Sequence, residues 1–288
     1  MIAFAHHRRA AIAAANPAAL TAATTWAAIK AAIEAVSGAL TVAQNNAGYR
    51  RVQDAFGLSN PAYATFNTWN RHAGFYGILG GTAAAHALNW KDPRSVPAAG
   101  QLTYYGSGTT HSANGILWSG GGYADTNLMP DLVFTLAGGT SMGVYNRTLS
   151  AAGGDRVDMG VFHSATSKLL LSVQNTSSGA GKALSRNLNN LIVGTTTDGL
   201  GYYQSVRRSN TDHSLYHRLV QEVSGGDGTG DLPPLPIWVG ALNLSASAYG
   251  HVNREHAAYA FCDGLTPAEA LAEANAWQAY QTALGRNV

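Results

Sequence analysis

From Asn89 to Cys262 the chain is broken every few residues, as short β-branched, aromatic and Leu runs alternate with Gly, Ser, Asn and Asp. A helix needs sustained 3.6-residue apolar spacing, and this stretch offers none of useful length. Its texture therefore restricts it to many short strands, the mark of an all-β sandwich. The candidate strands are Ile116–Tyr123, Ser141–Arg147, Arg156–His163, Lys168–Gln174, Asn189–Val193, Gly201–Val206, Ser214–Val223, Pro236–Leu242 and His256–Cys262. Nine strands suit two sheets. Pro233, Pro234 and Pro236 cannot donate to a ladder and are expected to protect an edge.

Helical signals lie at the two ends. Asn16-Pro17 reads as an N-cap and first turn, and Leu20, Ala23, Ala27, Ala31 and Ile33 keep helical spacing until Ser37-Gly38, with Trp26, Ile29 and Ile33 on the bulky face. A second helix is expected over Tyr49 to Phe56, ending at Gly57. Between Ser59 and Ala87 the apolar residues are interrupted by Gly74, Gly77, Gly80 and Gly81, and the pattern favours neither state. Near the C-terminus Thr266 and Glu269 form a capping box with Pro267 at the first helical position. Ala270, Ala274, Trp277, Gln281 and Leu284 then make one stripe, and Gly285 suits a left-handed cap. The expected organisation is an N-terminal helical attachment region over 1–88 and a sandwich with its C-terminal helix over 89–288.

Charged residues make up 12% of the chain and the net charge is +2, so little counterion-release affinity is available and nucleic acid is not expected as a partner. No run approaches the ~18 apolar residues of a membrane span. The lone Cys262 allows no intramolecular disulfide and fits folding in a reducing cytosol.

Glycosidic bonds are cut by two facing carboxylates, which commonly stand two or four residues apart on one strand. Of the five glutamates, Glu34, Glu269 and Glu273 fall on expected helices, and Glu222 and Glu255 have no acidic neighbour at that spacing. Asp155 and Asp158 point to opposite faces of a strand. The chain is therefore expected not to be an enzyme, with a glycan-cleaving activity as the alternative. His213 and His217 have helical zinc spacing, yet HSLYHRLVQEV reads as a strand, which would hold them ~13 Å apart. Asp227 and Asp231, in the Gly-rich loop from Gly225, are the candidate ligands for calcium, against the plainer role of a hairpin loop. Gly179-Ala180-Gly181-Lys182 lacks the first glycine and the final Ser or Thr of a phosphate-binding loop.

Aromatic rings are the remaining candidates for ligand binding, because sugars lay their C–H faces on them. Tyr104, Tyr105, Trp118, Tyr123, Tyr202 and Tyr203 fall in or beside strands and Gly-rich loops. In the pairs Tyr104-Tyr105 and Tyr202-Tyr203, one ring faces out if the other faces in. Core packing is the competing role for each of them. Trp238, between Ile237 and Val239, reads as core.

The segment LPPLPIWVGALN from Leu232 to Asn243, the strand ending Tyr259-Ala260-Phe261-Cys262, then Gly264-Leu265-Thr266 with Glu269 and the closing Leu284-Gly285-Arg286 occur in that order. Together with Asn89-Trp90-Lys91-Asp92-Pro93 and the Gly-rich stretch from Gly106 to Asn127, they resemble a family of phage and prophage virion proteins. That family carries a concanavalin A-like, laminin G-like sandwich. The resemblance covers about two thirds of the chain, from Asn89 to Val288. It implies a jelly-roll of two antiparallel sheets in a tail fibre, tail-associated or decoration protein. It further implies a product made in the bacterial cytoplasm and located in the virion. Other virion proteins and copies of itself would be its partners, with host surface glycan as a further one. A purely structural role without ligand is the companion expectation.

Overall fold

The computed structural model describes residues 21–57, 67–93, 100–149, 156–175, 182–195, 197–226 and 229–288. They form a mainly β sandwich of two sheets with helices at both ends of the chain, the class expected from the sequence. The first sheet has eight strands among the described residues. These are β1 (His72–Tyr76), β3 (Thr110–Ser112), β4 (Gly115–Leu117), β6 (Thr140–Asn146), β11 (Gly201–Ser209), β12 (Asp212–His217), β13 (Val220–Gly225) and β17 (Glu255–Cys262). Their order is β13-β12-β11-β6-β17-β4-β3, with β1 also paired to β17.

The second sheet has nine: β2 (Thr103–Tyr105), β5 (Tyr123–Asp125), β7 (Met159–Ser164), β8 (Ser167–Asn175), β9 (Lys182–Asn187), β10 (Asn190–Val193), β14 (Trp238–Val239), β15 (Leu242–Leu244) and β16 (Ser247–Tyr249). Its main order is β10-β9-β8-β7-β14-β5-β2. The parallel contact of β15 with β7 is the departure from antiparallel pairing.

Residues of alternating parity on the two sheets meet in one core. Met142, Val144, Tyr203, Tyr259 and Phe261 come from the first sheet, and Ala124, Met159, Val161, Leu169, Leu171 and Val239 from the second. Full burial of each larger side chain here stabilises the fold by roughly 1.5–3 kcal/mol.

The opposite face of the first sheet is also covered. Helices α1 (Ala22–Ser37), α2 (Val42–Ala55) and α5 (Pro267–Ala283) lie there, and Trp26, Ile29, Ile33, Val52, Trp277 and Tyr280 form a second cluster with Phe75, Tyr145, Tyr202, Ala258 and Ala260. Small residues on the sheet and just beyond β1 permit this approach. A Cβ on Gly143 would stand 2.0 Å from the Tyr202 hydroxyl, and one on Gly77 would stand 2.0 Å from the Trp90 ring. Two further α-helices among the described residues, α3 (Ala83–His86) and α4 (Pro130–Val133), are single turns.

Several boundaries differ from the sequence expectation, each for a local reason. The C-terminal capping box forms as expected, with the Thr266 N–H on Glu269 at 2.7 Å. Helix α1 begins after Thr21, which makes a capping box with Thr24, and the Asn16-Pro17 start lies outside the described residues. Helix α2 begins at Val42, nearly two turns before Tyr49, because Thr41 and Gln44 cap each other. The expected strand Ile116–Tyr123 divides between the sheets, turning at Gly120 and Gly121, both with positive φ. Ser214–Val223 is a hairpin turned at Arg218 (φ 51). The Pro-led strand is not an edge: β14 lies between β7 and β5, and the three prolines precede it.

Candidate functional site

The outer face of the second sheet carries an aromatic row that the helices leave open. Thr103 and Tyr105 of β2 stand opposite Asp125 and Tyr123 of β5, and Trp238 of β14 stands on the other side of Asp125. Their neighbours Tyr104, Ala124 and Val239 turn inward to the core, so strand alternation puts Thr103, Tyr105, Tyr123, Asp125 and Trp238 on the outer face. Tyr105 and Tyr123 stack with centroids 5.4 Å apart, and Tyr123 stacks on Trp238 at 4.5 Å. His251 closes on Tyr123 at 5.8 Å. Tyr105 ends the row at the free edge of the sheet and is 46% exposed. Trp238 is 8% exposed, and its indole N–H is buried without a hydrogen-bonded partner.

Polar groups flank the rings. Asn127, held in a left-handed conformation (φ 54), donates its N–H to Asp125 Oδ1 at 2.6 Å. Its side-chain amide donates to the Gln101 carbonyl at 2.7 Å and to Thr103 Oγ1 at 3.2 Å, which fixes the turn. Partial burial pushes the Asp125 carboxyl above its ordinary value, while the Asn127 N–H and the nearby Trp238 indole pull the other way. A flat apolar surface bordered by oriented acceptors and donors is suited to a sugar ring, with C–H groups on the aromatic face and hydroxyls on the polar rim.

Of the six aromatic residues expected to bind ligand, Tyr105 and Tyr123 are brought together here. The other four are corrected by their positions. Trp118 is in the core, its indole N–H directed at His256 Nδ1 and the Tyr259 hydroxyl, both at 3.0 Å. Tyr104 packs inward against His111, at 4.6 Å. Tyr203 is buried between the sheets and stacked on His217 at 4.1 Å. Tyr202 does face the other way, but helix α5 covers that face and Trp277 lies 6.2 Å from its ring. Adjacent rings do point to opposite faces, and at Tyr202 and Tyr203 both faces of the first sheet are covered. Trp238, expected in the core, belongs to the row, and its placement between inward Ile237 and Val239 was the available signal. His251 sits in a connection with no comparable signal.

Of the candidate calcium ligands, Asp227 lies outside the described residues and Asp231 is exposed. No group of three or more metal-binding side chains occurs among the described residues. Glu222 accepts from Thr195 N–H at 3.0 Å and lies 3.2 Å from His217 Nδ1, while Glu255 pairs with Arg147 at 2.5 Å. Asp158 is fully buried, 2.9 Å from His256 Nε2. Burial pushes its carboxyl up, but Arg254 and the His256 hydrogen bond prevail and hold it below the usual range.

No family model matches the chain, and no curated protein matches it. Solved structures do. Domain 4 of a GH43 extracellular arabinanase from Geobacillus stearothermophilus, in complex with arabinotriose, is 14% identical over 61% of this chain and 82% of that one, with a TM-score of 0.40. A Trypanosoma rangeli sialidase in complex with 2,3-difluoro-KDN is 10% identical over 88% of this chain and 38% of that one, with a TM-score of 0.48. The Ruminococcus gnavus IT-sialidase CBM40 bound to α2,3-sialyllactose is 13% identical over 46% of this chain and 80% of that one, with a TM-score of 0.36. The similarity is one of fold.

These comparisons correct the expectation that the chain is not an enzyme, because structures similar to it include sialidases and a domain of an arabinanase. The physical reason is that carboxylate spacing on a single strand tests only one way of building a pair. In this chain Asp198 and Glu222, from a connection and from β13, both act on the Tyr203 phenol and help to raise it beyond the effect of burial.

Proposed function

We propose that the chain recognises a glycan on the outer face of its second sheet. The observation that carries this reading is the stacked row Tyr105–Tyr123–Trp238, open at Tyr105 and bordered by Thr103, Asp125 and Asn127. A sugar ring lies against the free face of Tyr105, and Tyr123 and Trp238 hold that ring upright. Binding of the full chain to an array of neutral and acidic oligosaccharides, followed by calorimetry on the hits, tests it. Tyr105→Ala is expected to weaken binding at least about tenfold, the loss of one stacking contact of roughly 1.5 kcal/mol. Unchanged affinity in a folded Tyr105→Ala protein would refute the site.

Cleavage of the glycan is the second reading, supported by the surroundings of Tyr203, whose hydroxyl donates to the Asp198 carbonyl and whose ring stacks on His217, 3.2 Å from Glu222. Release of reducing ends that disappears in Glu222→Gln supports it, and absence of release from every glycan that binds refutes it. The resemblance of Asn89–Val288 to virion proteins supports a place on a phage-like particle, where many copies would convert weak contacts into avidity. Mass spectrometry of purified particles that fails to detect the chain would remove that part.

A further inference from the structure

We infer, on the glycan-binding reading above, that the site selects neutral, hydroxyl-rich glycans over acidic ones and that Asp125 is the residue that decides this. The strand register puts Asp125 in the middle of the polar rim, between Thr103 and Trp238 and two residues from Tyr123. A ring seated on the row therefore has this carboxylate at its edge.

Asp125 is held in place but not neutralised. Among the described residues it makes no ion pair; the Asn127 N–H donates to Oδ1, and the Trp238 indole lies near the carboxylate. Carboxylate oxygens accept several hydrogen bonds, so capacity remains for sugar hydroxyls, and such charge-assisted bonds are the stronger kind. The same charge opposes a sialic or uronic acid carboxylate brought to the rim. The repulsion is reinforced by partial burial, which lowers the local screening. Arg156 donates to the carbonyl of His251, the ring that packs on Tyr123, at 2.5 Å.

The test uses matched pairs, each a neutral oligosaccharide and its sialylated or uronic-acid counterpart, titrated calorimetrically into the full chain. Lactose with 3′-sialyllactose is one such pair. The neutral member is expected to bind at least about tenfold more tightly, as a like charge a few ångströms from a partly buried carboxylate requires. Asp125→Asn, with folding confirmed by near-ultraviolet circular dichroism, is expected to collapse that ratio toward one. Equal or tighter binding of the acidic members by the unmodified chain overturns the inference and leaves glycan binding standing. A ratio that Asp125→Asn does not change does the same. If no member of any pair binds, the glycan-binding reading and this inference fall together. The ratio in the unmodified chain needs no variant, so a misfolded Asp125→Asn does not remove the test.

Discussion

Glu273 gives the sharpest test of how the helical layer is held. Its carboxylate is 2% exposed and 2.5 Å from the Arg51 guanidinium of α2, itself fully buried. The same oxygen accepts the Trp277 indole N–H at 2.9 Å and faces His72 Nε2 of β1 at 3.3 Å. One atom thus ties α5, α2 and the first sheet together. Burial pushes the Glu273 carboxyl up, yet Arg51, then His72 and Trp277, outweigh it and bring it from 4.5 to about 2. A carboxyl that is more acidic folded than unfolded stabilises the protein above pH ~4.5 and loses that contribution as the pH falls toward ~2. The difference corresponds to about 3 kcal/mol, of which about 2 kcal/mol is already lost at pH ~3. Glu273→Gln keeps the shape and removes the charge, leaving Arg51 buried and uncompensated, at an expected cost of about 3–5 kcal/mol near neutral pH. Urea unfolding, followed by tryptophan fluorescence at pH ~7, ~5 and ~3, measures both effects. The variant should lose less stability than the parent between pH ~5 and ~3, by about 2 kcal/mol. Parallel profiles, or a cost below about 1 kcal/mol near neutral pH, would refute the reasoning. Replacing both partners, Arg51→Met with Glu273→Leu, should return most of the loss, since the orphaned charge is what destabilises.

Other perturbations read other joints. Trp26→Ala, which empties the space between Gly48 and Trp90, is expected to cost about 3–5 kcal/mol by urea unfolding; a smaller cost than 1 kcal/mol would mean that α1 is loosely held. Gly77→Ala places a methyl 2.0 Å from the Trp90 ring and should destabilise by at least about 1–3 kcal/mol. Thr266→Ala removes the acceptor for the Glu269 N–H and should cost about 1 kcal/mol, with faster amide exchange confined to the first turn of α5. Uniform exchange along the helix would contradict that local account.

Local chemistry was legible in the chain, and the covering of faces was not. The capping box of Thr266 and Glu269 needs residues three apart, and the alternation of Tyr104 and Tyr105 needs adjacent ones; both follow from sequence spacing alone. Whether an outward ring meets water is decided by elements far away in sequence. Tyr202 is outward on β11 and still buried, because residues of α5 about seventy positions later lie over it. Trp238 shows the converse. It is surrounded in sequence by apolar residues, yet its side chain lies on the face away from the core. Carboxylates suffer similarly: Glu222 reaches His217, the ring stacked on Tyr203, only through the hairpin of β12 and β13, which the sequence presented as a single strand.

The unequal treatment of the two sheets also separates stability from recognition. Along β6, β11 and β17 both faces of the first sheet are covered, and Trp277 and Tyr280 lie in the same apolar cluster as Phe75 and Tyr202, so changes there are felt throughout the layer. On the second sheet the row ends at an edge strand of three residues, where Tyr105 is stacked on one side and exposed on the other. Truncating Tyr105 removes one ring contact and little buried area, while truncating Trp277 opens a cavity beside Arg51, Phe75 and Tyr280. A residue that is cheap to change for folding and placed where a ligand can reach it is free to be shaped by the ligand. The rim of Thr103, Asp125 and Asn127 meets that condition, and the more numerous aromatic residues inside do not.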